Sequence, residues 1–520
     1  MNTYTHVGAG MAKSPILWLP CELLVHMASY LYSEDLFSFR LACRCIERCL
    51  FVNFREEFFS DRRFMVTQRL TCLVEISKHY ALAECLSKVT IGLDRLYSSD
   101  ALPQNASTSP IAQADDARID MDGLEELATE QNWLTSSGKL QLLLGEAFRN
   151  LPRLAELSVR DSNVARRSSR PGASQVLVSY GVAHIFRETG IDLRAERARL
   201  RTEDSFPDVV LSTALLAVGA SGKALGALTA DIENVFMGFS SSAFAMPRFA
   251  VDAMKPVFAG MTSLELTVAF AHTLGGVGSM TRGFLRWQPH RLFALLEQMP
   301  NLACLRVKSR GEGFLPEGII GWLAGLVDVE NGERPEASTL YGPLLRSGPA
   351  RLAATPPSLR FRNLGELELE HMLAPQASIV KVLRCVAPSL RRLHLSAVGV
   401  RVQRGDQELD NNPEYPNAWT SLFRFMSRAM SLSQIRVRAL GHDPLACQSG
   451  SRHQVAFRRS PAGEQSVLPN GMINGWLCAG TPREMRRFLL EVAENTIIVC
   501  RQCQQRNPGY FSFEDIVHQE

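Results

Sequence analysis

Long apolar runs are missing from this chain. The stretch VVLSTALLAVGASG stays uncharged for only 14 residues, whereas a membrane span needs about 20. A buried helix is expected there, and no membrane partner. Charge of one sign is missing too: 56 Lys and Arg stand against 53 Asp and Glu, a net +3. The short basic run RDSNVARRSSR sits in a Ser-rich loop. Nucleic acid usually demands a concentrated basic face, so no nucleic-acid partner is expected either. The opening MNTYTHVGAGMAKSP has neither a charged n-region nor an apolar h-region, so export is not expected and the compartment reads as cytoplasm or nucleus. There the twelve cysteines are reduced thiols, and their irregular spacing does not outline a disulfide framework. The acceptor pattern at Asn105 would be idle.

Catalytic patterns are equally scarce. TLGGVGSMTRG has Gly276 and Gly278, but a dinucleotide loop would need a third glycine where Thr281 stands. GASGK fails as a nucleophile elbow because Lys223 holds the last glycine's place. It fails as a phosphate loop because Ala217 replaces the first glycine and Ala224 follows the lysine. Cys43, Cys45 and Cys49 share one helix with no His cluster beside them, so they read as small buried hydrophobes. Cys500 and Cys503 form a C-x-x-C that could join Cys478 and His518 in a zinc site, at an unusual spacing. Nothing else gathers into a constellation, so no enzyme activity and no cofactor are expected.

What the chain does have is an apolar opening. LPCELLVHMASYLYSEDLFSFRLACRCIERCLF, Leu19 to Phe51, packs about a dozen large nonpolar side chains onto three short helical patterns. Pro20 suits a first helical turn. Leu23, Met27 and Leu31 recur at i, i+4, i+8 with Leu24 beside them. Ser33 reads as an N-cap, with Glu34 and Asp35 in the first turn, where the helix dipole favours acids. Leu36, Phe39 and Leu41 supply the second helix's apolar side, punctuated by Arg40 and Arg44, and a third helix should run from about Cys43 to Phe51. Three such helices carry more nonpolar surface than they can bury among themselves.

This segment resembles the F-box, over roughly Ser14 to Phe58, through Leu19-Pro20, Glu22-Leu23-Leu24, Tyr30-Leu31, Asp35-Leu36, Phe39-Arg40-Leu41 and Cys43-Arg44. Many F-boxes carry a Trp near the place of Ile46. The resemblance implies docking onto a Skp-type adaptor and, through it, a cullin–RING ubiquitin ligase. The expected contact residues are Leu19, Pro20, Leu23, Leu24, Met27, Leu31, Leu36, Phe39, Arg40 and Cys43. The next segment, aromatic at Phe54, Phe58, Phe59 and Phe64 and then helical in period, reads as a rigid joint. It looks like the segment of fungal F-box proteins that leads into a repeat array.

One phrase recurs along the remainder: apolar, two others, apolar, one other, apolar. It starts at Leu86, Leu154, Leu225, Met261, Leu302, Leu364, Leu390 and Leu432, often after a helical stretch. A repeated helix–turn–strand unit is the signature of a leucine-rich-repeat-type solenoid, though the starts lie 26 to 71 residues apart. The expected fold is α/β: a three-helix F-box at 14–58, a helical joint at 59–85, an irregular leucine-rich-repeat-like solenoid with long insertions at 86–445, and a C-terminal loop and helical cap at 446–520. An ordinary α/β domain with a parallel sheet is the competing arrangement. Solvated insertions are expected near 97–120, 160–175, 329–358, 403–419 and 441–454. The implied function is substrate recognition for a Skp–cullin–F-box ligase, with an unknown protein target on the repeats. The alternatives are a repeat protein acting as scaffold or inhibitor without ubiquitin transfer, and an enzyme with its site around Cys478–His518.

Overall fold

The computed structural model of the chain describes residues 15–97, 120–162, 164–165, 176–177, 179–190, 205–233, 238–269, 289–296, 298–310, 320, 323, 362–402, 417–444, 453–458, 464–467, 473–499 and 510–511. Asn105, Gly276, Gly278, Thr281, the expected insertion at 329–358, and Cys500, Cys503 and His518 lie outside the described residues. The chain is mixed α/β and falls into two compact units, Met1–Ala155 with Ser162–Glu196, and Glu156–Asp161 with Arg197–Glu520. Among the described residues no helix is long and apolar enough to cross a membrane.

The first unit opens with α1 (Cys21–Ser29), α2 (Ser33–Leu41) and α3 (Arg44–Phe59). The expectation that the third helix ends near Phe51 is corrected. Ile46, Leu50, Phe54 and Phe58 are all buried at a spacing of four, so one inward face carries the helix on to Phe59. The aromatics expected in a joint are therefore the last turns of α3. The joint is not purely helical either: β1 (Asp61–Met65) comes first, then α4 (Thr71–Lys78), α5 (Tyr80–Ala83) and β2 (Lys88–Gly92). β1 and β2 pair in parallel, Asp61 opposite Lys88.

Two adjacent arginines disguise β1 in the sequence, because a charge rarely marks a buried strand. Arg63 is buried and satisfied by groups far along the chain. Its Nε donates to Ser179 Oγ at 2.7 Å, its Nη1 to the Ser162 carbonyl, and its Nη2 lies 3.5 Å from Asp94 Oδ2. The chain continues through α6 (Met121–Ser136) and α7 (Lys139–Asn150). Gln131 of α6, fully buried, donates to the Val66 and Asp94 carbonyls and accepts from Leu96 N–H at 2.9 Å. After β3 (Glu156–Arg160), which belongs to the second unit, come the two-residue strands β4 (Val164–Ala165) and β5 (Val176–Leu177) and then α8 (Val182–Thr189).

The second unit carries an open sheet. From β3 the chain alternates through α9 (Phe206–Ser221), β6 (Ala227–Asp231), α10 (Arg248–Ala259), β7 (Ser263–Ala269), α11 (Pro289–Leu296) and β8 (Cys304–Arg310). It goes on through β9 (Glu366–Glu370), β10 (Leu373–Pro375), α12 (Gln376–Val386), β11 (Arg392–Ser396), β12 (Gly399–Val402), α13 (Ala418–Ala429), β13 (Gln434–Arg438) and β14 (Gly441–Pro444). Strands β3, β6, β7, β8, β9, β11 and β13 lie side by side, all parallel. GASGK is the end of α9, where Gly222 takes the left-handed conformation (φ 69°) that closes a helix.

Each of the eight recurring phrases begins two residues before a strand. The phrase has a mechanical reading. In the phrases that start at Leu225, Met261, Leu302, Leu364 and Leu390, the carbonyl just after the first apolar residue accepts two N–H groups from the start of the next phrase. Thr262 takes Ala303 and Cys304, Ala303 takes Gly365 and Glu366, Gly365 takes Arg391 and Arg392, and Arg391 takes Ser433 and Gln434, at 2.8–3.1 Å. The two later apolar residues of each phrase, such as Leu305 and Val307 or Leu393 and Leu395, are buried on one sheet face. After β9, β11 and β13 the chain turns at His371, Ala397 and Ala439, each with φ between 50° and 57°. Behind these corners β10, β12 and β14 form a second parallel rank.

The C-terminal segment corrects the expectation of a loop and helical cap. It contains β15 (His453–Phe457), β16 (Glu464–Val467), β17 (Ile473–Ala479), α14 (Pro482–Asn495), β18 (Thr496–Val499) and β19 (Tyr510–Phe511). β17 runs antiparallel to β13, and β15 antiparallel to β14 and β18. α14 starts with a capping box between Thr481 and Glu484. Phe423 of α13, Phe457, Trp476 and Phe488 of α14 form a ring cluster, with centroids 4.5–6.3 Å apart in tilted and edge-on contacts.

Candidate functional site

The opening helices have a core of their own. Ala28, Leu36, Ile46, Leu50, Phe54 and Phe58 are buried together, with Leu17, Val25, Leu31, Phe39, Cys43 and Phe59 packed against them. The ends of these helices differ from the sequence reading. Pro20 is the N-cap residue of α1. Ser33 is the first helical residue of α2 and makes no cap, the N-cap being Tyr32. Cys43 caps α3, its Sγ accepting from Ile46 N–H at 3.5 Å.

The structure divides the ten expected contact residues into three groups. Leu24 and Leu36 are buried inside the bundle, so they support its surface from within and cannot touch a partner directly. Leu19, Leu31, Phe39, Arg40 and Cys43 are half-buried. The guanidinium of Arg40 lies 3.9 Å from the centre of the Phe54 ring, a cation–π contact that turns it onto the bundle's own core. Pro20, Leu23 and Met27 point outward. Tyr30 completes a stripe with Leu23 and Met27 at i, i+4, i+7 along α1. Trp18, 77% exposed, precedes this stripe, and Leu41, 70% exposed, ends α2. Trp18 escaped the sequence reading because it stands in a four-residue 3₁₀ turn outside any helical period.

Chemistry is sparse at these helices. Cys45 is exposed, and Cys43 and Cys49 are half-buried, so the expectation of small buried thiols is corrected for all three. The Cys21 thiol donates to the Cys49 carbonyl at 3.5 Å. Hydrogen bonding with Cys21, followed by burial, pushes the Cys49 thiol up. Among the described residues no three His, Cys, Asp or Glu side chains are placed to hold a metal ion. Cys478 is half-buried on β17. A cavity of about 280 Å³ in the first unit is lined by Thr67, Arg69, Glu130 and His184. Glu130 already accepts from Gln68 N–H there, and Arg69 contacts the His184 ring at 3.3 Å.

The second unit offers a charged surface. Opposite its leucine face, the parallel strands place Glu265, Arg306, Glu368, His394 and Arg436 in one row. Arg306 bonds Glu366 at 2.6 Å and reaches Glu368 at 3.5 Å and Glu265 at 3.8 Å. Lys308 bridges Asp231 at 3.3 Å and Glu265 at 3.1 Å. Burial opposes the charge on Asp231, yet Lys308 and the Thr267 hydroxyl outweigh it and hold the carboxyl below its usual range. Burial is likewise overcome at Glu366, where Arg306 and then Arg392 keep the carboxyl low. No family model and no curated protein matches this chain.

Proposed function

We propose that this chain is a non-catalytic recognition subunit of a Skp–cullin–F-box-type ubiquitin ligase, working in the cytoplasm or nucleus. The first three helices act as an F-box and dock on a Skp-type adaptor. The repeated strands, read as an irregular leucine-rich-repeat-like solenoid, hold a protein target. One observation carries the reading: Leu23, Met27, Tyr30, Leu41 and Trp18 face solvent on helices that already possess a buried core. A monomer gains nothing from such surface, and large exposed apolar patches mark interaction sites. An interface of ordinary size, roughly 1,600 Å² in total, suffices to cover it. The mechanism is proximity: two binding events hold a target lysine near a charged conjugating enzyme and raise its effective concentration.

The test is co-purification with a Skp-type adaptor. Wild type should retain the adaptor, and Leu23→Asp with Met27→Asp should lose it while the far-UV circular dichroism stays unchanged. Leu36 is unsuitable for this purpose because an aspartate there would unfold the bundle. Retention by the double variant, or no capture by wild type, removes the reading. The alternative, a scaffold or inhibitor on the same adaptor, differs in showing capture without ubiquitin transfer to a trapped target.

A further inference from the structure

Across the polar face of the second unit, the acids of the parallel strands are matched by bases. Asp231 has Lys308; Glu265 has Arg160, Arg306 and Lys308; Glu366 has Arg306 and Arg392; Glu368 has Arg306 and His394; Glu370 has His371. Such pairing leaves little net field over most of the face.

The matching stops at β13. Arg436 stands opposite His394 and Arg438 opposite Ser396, and both arginines are exposed. On their other side Arg436 faces Leu477 and Arg438 faces Gly475, so β17 supplies no acid there. Among the described residues neither arginine has an acidic partner. Arg392, two rows along, is bound to Glu366 yet keeps 53% of its side chain in solvent. Arg392, Arg436 and Arg438 thus sit on adjacent strands of this face, where the acids of β9 are already paired with other bases and the next acid across β17, Glu464 of β16, stands one strand further on.

Arg436 and Arg438 are alternate residues of one strand, so they share a face about 6.8 Å apart. An extended chain repeats its own side chains at that same interval. Carboxylates at alternate positions of an extended peptide could therefore meet both guanidinium groups, which favour planar two-oxygen partners. We propose that this arginine-bearing strand, β13, captures an extended acidic segment of a protein partner across the polar face, Asp/Glu-x-Asp/Glu in pattern. Assigning that segment to the ligase target rests on the function proposed above; the binding itself does not.

The experiment uses the full chain and a labelled 12-residue Gly/Ser peptide with three glutamates at alternate positions, followed by fluorescence polarisation. Wild type should bind it, more weakly as salt rises. Arg436→Glu with Arg438→Glu should lose at least about tenfold in affinity and gain preference for the matching lysine peptide. Arg436→Gln with Arg438→Gln should fall between, which guards against a fold defect in the reversal. A peptide with the three glutamates contiguous should bind less well. No binding by wild type, equal binding by the reversal variant, or equal binding of the contiguous peptide overturns the proposal. Adaptor capture, measured on the same preparations, should be unchanged in both arginine variants, so that loss of peptide binding and failure of the docking reading are separate results.

Discussion

Leu23 and Leu24 are consecutive in the chain and face opposite ways on α1: Leu23 is 48% exposed, and Leu24 is 1% exposed. One leucine belongs to the bundle and the other to whatever covers it. Leu24→Ala should destabilise the isolated chain by about 2–5 kcal/mol, the cost of a buried leucine truncation. Leu23→Ala should change stability by less than about 0.5 kcal/mol. Urea unfolding monitored by circular dichroism checks both, and equal costs would show that the two faces are not distinct.

Asp231 and Lys308 form a secluded ion pair of the polar face, with side-chain exposures of 1% and 15%. Lys308→Met should cost about 3 kcal/mol, because it strands a buried carboxylate. Adding Asp231→Asn should recover part of that loss. A double-mutant cycle should give a coupling of about 1–3 kcal/mol; a value near zero would mean that Glu265 alone anchors Lys308.

His442 and His453 lie directly opposite each other on β14 and β15, both buried, their rings 6.3 Å apart. Burial, and then the charge of His453, lowers His442 from 6.5 to about 3. The unfolded chain therefore binds more protons between those values. Its share of stability is complete above about pH 6.5 and declines as pH falls toward 3, by up to about 1.4 kcal/mol per pH unit. Between pH 6.5 and 5 the urea midpoint should therefore drop, and His442→Gln should flatten the slope. A slope unchanged by the substitution would assign the decline to other groups.

Gly475 of β17 stands opposite Arg438 of β13. A Cβ there would meet the Val437 carbonyl oxygen at 2.4 Å and the Arg438 Cα at 2.9 Å. Both are backbone atoms that cannot step aside. Gly475→Ala should therefore cost about 1–3 kcal/mol, read as a lower unfolding midpoint. No loss would mean that the strands part more easily than their ladder suggests.

The recurring apolar phrase alone marked eight of the strands, each starting two residues after the phrase does, because a strand with one buried face must alternate, and alternation is written locally. α1 was legible through the four-residue spacing of Leu23 and Met27, whereas the last turns of α3 were not, because Phe54 and Phe58 read as part of a joint. β1 was not, since Arg62 and Arg63 hide it until Asp94, Ser162 and Ser179 arrive from far along the chain to satisfy the charge. The corners at His371, Ala397 and Ala439 were invisible too, for none is a glycine, and it is the inter-strand bonds from their N–H groups to Ser396, Arg438 and Asn474 that accompany the left-handed turn.

The sequence by itself thus determined the eight phrase-bearing strands, the first two helices and the alternation that sends one strand face inward. Tertiary structure decided which apolar neighbours go inside, which charges cancel across strands, and that the C-terminal segment returns antiparallel. Periodicity is a property of one segment, whereas satisfaction of a buried face or a buried charge depends on a partner that may be more than a hundred residues away, as Ser179 is from Arg63.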